Sequence, residues 1–188
     1  PKETKSDKLS ILDIKAIDKN RNHFLIEMQA FPQTSFRKRA LFYWSKIYSR
    51  NLVSGQDYDK LSKVYSFNFL NFTVWPEQKD FHSRFLLLEW DRNFILTDDL
   101  EIHIVEMPKF AKQIQSLETD LDLWIYLIKE SDKLNGETMK TLERKNSKIK
   151  KAISGLKTIS RSVKNREIYE ARRKGILDYN SNISGSFE

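Results

Sequence analysis

A chain of 188 residues, 39% hydrophobic and 31% charged with a formal charge of +7, is long enough to bury a core and polar enough to face water. The absence of cysteine excludes disulfides and thiolate metal sites and fits a reducing, cytoplasmic setting. No apolar run approaches a membrane span, and no glycine-rich phosphate loop, nucleophile elbow or dinucleotide fingerprint supports acyl-transfer or hydride chemistry.

Residues 1–9 are polar. Residues 10–17 and 23–29 read as two β-strands, rich in β-branched and aromatic types, with turn-forming Asp and Asn in residues 18–22 between them. Side chains alternate along a strand. One face of this hairpin, Leu12, Ile14 and Ala16 with Phe24, Ile26 and Met28, is wholly apolar, and the other carries Ile11, Asp13 and Lys15 with Leu25, Glu27 and Gln29. An even register sets Asp13 opposite Glu27. Two carboxylates with an amide two residues on are hard oxygen donors suited to Mg²⁺, and like charges held that close repel unless a cation joins them. The same pattern also describes an ordinary amphipathic hairpin whose polar face meets water.

Pro32 sits in a connector over residues 30–35. Residues 36–52 read as a helix, with Phe36, Ala40, Tyr43 and Ile47 at helical spacing, as are Leu41, Trp44 and Tyr48. Ser35 is the expected N-cap, and residues 53–55 the stop. Arg37, Lys38, Arg39, Lys46 and Arg50 make this helix cationic: Arg37 and Lys38 face solvent or phosphate, and Tyr43 reads first as core. Residues 63–74 alternate as a strand, with Val64, Ser66, Phe69 and Phe72 as a half-buried element. Residues 84–90 and 100–107 read as two further strands joined by residues 91–99. Asp98 and Asp99, with Glu101 nearby, read as a solvated acidic turn more than as a second cation site. His23, His82 and His103 show no ligand spacing.

From Pro108 the period turns helical. A helix within residues 117–134 puts Leu121, Trp124, Ile125 and Ile128 on one face and closes at Gly136. Further helices are expected over residues 137–154 and 164–182, around Gly155. The boundary near residue 110 separates an α/β domain, 1–110, from a helical region, 111–188, whose modest apolar faces suggest a homodimer. Residues 140–174 hold thirteen Lys or Arg against three acids, a net of +10 that leaves −3 on the rest. This block, with Lys148, Lys150 and Lys151, is either a footprint for a phosphate backbone or a solvated helical surface.

An Asp, a short hairpin, then E-x-Q closing an apolar strand resembles the active site of the PD-(D/E)XK nuclease superfamily. In order along the chain, LDIKA (12–16), IEMQ (26–29), RALFYWSKIYS (39–49), DYDKL (57–61), HSRF (82–85), LTDDLEIHIVEMPKF (96–110) and REIYEARRKGILDYNS (166–181) resemble the recombination-promoting nucleases and transposases of that superfamily. The resemblance implies an α/β fold of restriction-endonuclease type, a mixed sheet flanked by helices with a helical C-terminal extension. It implies a DNA endonuclease dependent on Mg²⁺, or on Mn²⁺ or Ca²⁺. Asp13 and Glu27 are then the cation ligands, the Met28 carbonyl a further one, and Gln29 stands where the superfamily usually has Lys. Arg37 and Arg39, on the helix beside the catalytic sheet, become candidates to meet DNA phosphate. The family places a helix and a strand before the Asp strand, so with twelve residues ahead of Asp13 this chain is expected to lack them. The alternative is a catalytically incomplete nucleic-acid-binding or oligomerisation module of the same lineage.

Overall fold

The turn at residues 18–22 fixes the register on which the site depends. Asp18 Oδ1 accepts the backbone N–H groups of Asn20 and Asn22, each at 2.9 Å, and its Oδ2 accepts from Asn22 Nδ2 at 3.0 Å. Arg21 takes the left-handed conformation, φ 68°, that closes the loop. In this computed structural model, which describes residues 13–131 and 133–161, the strands on either side are β1 (Asp13–Ile17) and β2 (His23–Gln29). They pair antiparallel with Asp13 opposite Glu27, the even register on which the cation reading depends.

The chain divides into two compact units between Ala111 and Lys112. In the first, α1 (Phe36–Arg50) crosses from β2 to β3 (Val64–Leu70), and the chain continues through β4 (His82–Leu88) and β5 (Ile95–Glu106). The sheet order is β1-β2-β3-β5-β4. β2, β3 and β5 run parallel, and the hairpins β1–β2 and β4–β5 are antiparallel, so the sheet is mixed. The fold is α/β of restriction-endonuclease type.

Phe36, Ala40 and Trp44 recur every four residues and form the buried stripe of α1. They pack on Val64, Leu70, Ile102 and Ile104, with Ile47 and Tyr48 at the margin. By strand parity and register, that sheet face is the one carrying Glu27. Trp44 Nε1 donates to the Val64 carbonyl at 2.9 Å, and Tyr48 donates to Asp99 Oδ2 at 2.7 Å, which ties the helix to β3 and β5. Burial and that hydrogen bond push the Tyr48 phenol up to about 12, so it remains a donor. Ser35 precedes α1 without a side-chain capping bond, unlike the expected N-cap.

Several boundaries differ from the sequence reading. The third strand ends at Leu70. Buried Glu106 then holds the following loop, accepting the N–H groups of Val74 at 2.5 Å and Trp75 at 3.1 Å and pairing with Lys109 Nζ at 2.6 Å. Val64, Ser66, Asn68 and Leu70 share one face by parity; Phe69 lies on the other. The fifth strand begins at Ile95, which makes residues 89–94 a turn. Asp98 is exposed, as expected of a solvated turn acid, whereas Asp99 is engaged by Tyr48, and Glu101, within the strand, is buried in the sheet.

The second unit contains α2 (Asp120–Lys129), α3 (Gly136–Lys145) and α4 (Ser147–Arg161). Thr119 and Asp122 form a reciprocal capping box, and Asp122 also accepts from Lys112 Nζ at 2.8 Å. Gly136 opens α3, capped by Asn135, and does not close α2. The single helix expected over residues 137–154 is two, because Asn146 Oδ1 accepts the N–H of Lys148 at 2.7 Å and starts α4 afresh. Leu142, Ile149 and Ile153 are buried. The helix expected over residues 164–182 lies outside the described residues. Among those described, no helix is long and apolar enough to cross a membrane.

Candidate metal centre on the sheet

Three adjacent strands bring three polar positions into one row. Asp13 on β1 pairs with Glu27 on β2, and Glu27 pairs with Asn68 on β3. Paired residues point to the same side of a sheet. Gln29 lies two residues beyond Glu27 and so occupies that side too. Met28 alternates to the other, leaving its backbone carbonyl between the two polar residues. The side chain of Asp13 is outside the described atoms. Among those described, no three His, Cys, Asp or Glu side chains gather as a metal cluster.

Glu27 is 4% exposed, and a carboxylate buried that deeply needs compensation to stay ionised. Arg39, one turn into α1, brings Nη2 to 3.9 Å from Glu27 Oε2. Its Nη1 donates to Gln33 Oε1, and its guanidinium carbon lies 5.6 Å from the centre of the Tyr43 ring. The helix therefore presents a cation to the carboxylate and clamps it from two sides.

Four buried side-chain polar atoms lack a hydrogen-bond partner among the described residues: Gln29 Nε2 and Oε1, Arg39 Nε, and Asn68 Oδ1. All belong to residues grouped around Glu27 by register, parity or ion pair. Buried polar atoms are almost always satisfied, and exceptions concentrate where a catalytic group, a water or an ion completes the set. The residue types present fit a hard divalent cation: carboxylates at Asp13 and Glu27, with neutral amides at Gln29 and Asn68 beside them. Asn68 went unrecognised in the sequence because residues 63–74 read as an aromatic strand. Its pairing with Glu27, 41 positions earlier, arises only from the parallel β2–β3 ladder.

Arg37 is exposed, with its guanidinium carbon 5.9 Å from the centre of the Trp75 ring. Lys148, Lys150 and Lys151 are exposed on α4 in the second unit.

The opposite sheet face carries a ladder of rings. Phe24 stacks on Tyr65 at 4.9 Å, Phe67 on His103 at 4.4 Å, and His103 on His82 at 5.1 Å. His103 Nε2 lies 2.9 Å from Glu101 Oε1, and His103 Nδ1 lies 2.8 Å from His82 Nε2. A carboxylate only accepts, so His103 Nε2 carries the proton, and its Nδ1 accepts from His82 Nε2–H while His103 is neutral. Lys63 at 3.0 Å and Arg84 at 2.8 Å complete the shell of Glu101. Burial favours its neutral form, but hydrogen bonds from Lys63, Arg84 and His103 outweigh this and hold the carboxyl below its ordinary range. The histidines came together through β4–β5 pairing, which no spacing in the sequence shows.

A scan of protein families matches PD-(D/E)XK nuclease family transposase over residues 1–186. Neither the curated proteins nor the solved structures contain a match. The family match spans nearly the whole sequence, and the sheet it covers sets Asp13 opposite the E-x-Q strand: the chain belongs to the PD-(D/E)XK nuclease family transposases.

Proposed function

We propose that the chain is a metal-dependent DNA endonuclease of the recombination-promoting type, hydrolysing phosphodiester bonds at the row Asp13–Glu27. The observation that carries this reading is the concentration of unpartnered buried polar atoms on Gln29, Arg39 and Asn68 around a buried Glu27. In this reading Asp13, Glu27 and the Met28 carbonyl hold Mg²⁺, with Mn²⁺ or Ca²⁺ as substitutes. The bound cation supplies an acidified water and a polarised phosphate.

The protein's own groups do the rest. Gln29 cannot carry charge or act as a base, but its amide both donates and accepts, which suits orienting the attacking water against the phosphate. Arg39 neutralises Glu27 before a cation arrives, and its fork of donors is shaped for a phosphate oxygen afterwards. Arg37 on α1 and Lys148, Lys150 and Lys151 on α4 meet the DNA backbone. We further propose a homodimer. It is supported by an apolar end on the β4–β5 hairpin, where Leu87, Leu88, Trp90, Phe94, Ile95 and Leu96 are 42–91% exposed.

The test is conversion of supercoiled plasmid to open circle by purified protein. Nicking is expected in Mg²⁺, is absent in EDTA, and fails in Glu27→Ala. Nicking that persists in EDTA, or that Glu27→Ala retains in full, overturns the reading.

A further inference from the structure

Asn68 is 1% exposed, in the middle of a central strand, where an apolar side chain would cost nothing. Its Nδ2 donates to Ser66 Oγ at 3.1 Å and to the His103 carbonyl at 3.2 Å. The carbonyl only accepts, so the amide orientation is fixed: nitrogen toward His103, oxygen elsewhere. That oxygen, Oδ1, is the atom left without a donor. Leaving a buried acceptor unpaired costs about 1–3 kcal/mol, so the arrangement needs a reason.

The register supplies one. Asn68 pairs directly with Glu27, which pairs directly with Asp13. Neighbouring strands are about 4.8 Å apart, so three oxygen-bearing positions stand in a line across β1, β2 and β3. We propose that Asn68 Oδ1 is a further protein oxygen donor, the third from a side chain, to the divalent cation held by Asp13 and Glu27, and that Ser66 and the His103 carbonyl are its positioning partners. The proposal rests on the cation reading given under Proposed function. A neutral amide oxygen there adds a hard donor without adding a third negative charge to two carboxylates. It also links the two sheet faces, since the carbonyl that orients Asn68 belongs to the histidine that bonds Glu101 behind it.

The experiment measures Mn²⁺ binding without DNA, from the loss of the free-ion electron paramagnetic resonance signal, on the whole chain and three variants. The unaltered chain is expected to bind and Glu27→Gln to lose binding. Asn68→Leu, similar in volume but with no oxygen, should bind about tenfold more weakly. Asn68→Asp should bind more tightly than the unaltered chain and show a larger rise in Tm with Mn²⁺, because a cation offsets its added charge. No binding by the unaltered chain, or equal binding by Glu27→Gln, overturns the cation reading itself. Loss in Glu27→Gln with Asn68→Leu binding at full strength overturns only the role of Asn68. If Asn68→Leu does not fold, Asn68→Asp decides: a Mn²⁺-induced rise in Tm no larger than that of the unaltered chain overturns the assignment.

Discussion

Arg39 Nη2 approaches the buried Glu27 carboxylate to 3.9 Å, and this gives the pair a thermodynamic signature. Removing one member of a buried ion pair costs about 3–5 kcal/mol, with the lower end expected here because Arg39 keeps some solvent access and the pair is 3.9 Å apart. Arg39→Ala should therefore lower urea stability in EDTA by about 3 kcal/mol, and Ca²⁺ should restore much of that loss because a cation at Glu27 takes over the role of the guanidinium. A loss that Ca²⁺ leaves unchanged would mean that Arg39 acts through packing on Tyr43 alone. The histidine pair behind the sheet makes stability depend on protons. Burial lowers both His82 and His103 below 6.5. Each other's proximity and Arg84 add to this at His82; at His103, Glu101 pulls upward, and Arg84 and Lys63 downward. The fold thus holds fewer protons than the unfolded chain just below pH 6.5. Stability is full above that value and falls as pH drops through it toward the folded-state values. Urea midpoints should decline from pH 7.5 to 5.5, and His82→Phe, which keeps the stacked ring, should flatten the decline. His23, lowered for the same first cause, leaves a shallow residual slope. An undiminished slope in His82→Phe would remove the pair as its origin.

At the scale of elements, local sequence carried the hairpin and long-range pairing carried the rest. Asp18 and Asn22 were readable as a turn and alternation showed which residues share a face, while the register that sets Asp13 against Glu27 is fixed by the fold. The buried stripe of α1 was readable from the four-residue recurrence of Phe36, Ala40 and Trp44, although Tyr43 proved to be the ring beside Arg39. Asn68, Glu101 and the two histidines were not readable, because each acquires its partners from strands far away in sequence. Glu106 was hidden for the same reason: in sequence it ends an apolar strand, and in the fold it holds residues 74–75 and Lys109. Glu106→Ala removes the acceptor of two backbone donors and the carboxylate partner of Lys109, which keeps the Trp75 carbonyl at 2.8 Å, so a loss of about 3 kcal/mol is expected in chemical denaturation. A cost below 1 kcal/mol would show that the loop holds without it. The helix break at Asn146 escaped because apolar spacing continues across it, while a single side-chain oxygen restarts the helix.

For the whole molecule, the exposed cations and the exposed apolar residues each carry a test. Lys148, Lys150 and Lys151 are exposed on a helix whose Ile149 and Ile153 are buried. If Lys148, Lys150 and Lys151 neutralise phosphates, replacing all three with Ser should reduce the slope of log affinity against log salt by about 2–3 on duplex DNA. An unchanged slope would make them solvated surface. Trp90→Ser with Leu96→Ser should shift a dimer to monomer in sedimentation, and an unaltered species would exclude the hairpin end as the contact. The central claim is that Asp13 and Glu27 act as one cation site in phosphodiester hydrolysis. It is tested most directly by Mg²⁺-dependent nicking of supercoiled plasmid by Asp13→Ala, Glu27→Ala and the double variant. Ligands that act as a unit do not add, so each single change should cost several orders of magnitude, and the double change little more. Asp13→Ala nicking as fast as the unaltered chain, or the two losses adding in full, would contradict the account.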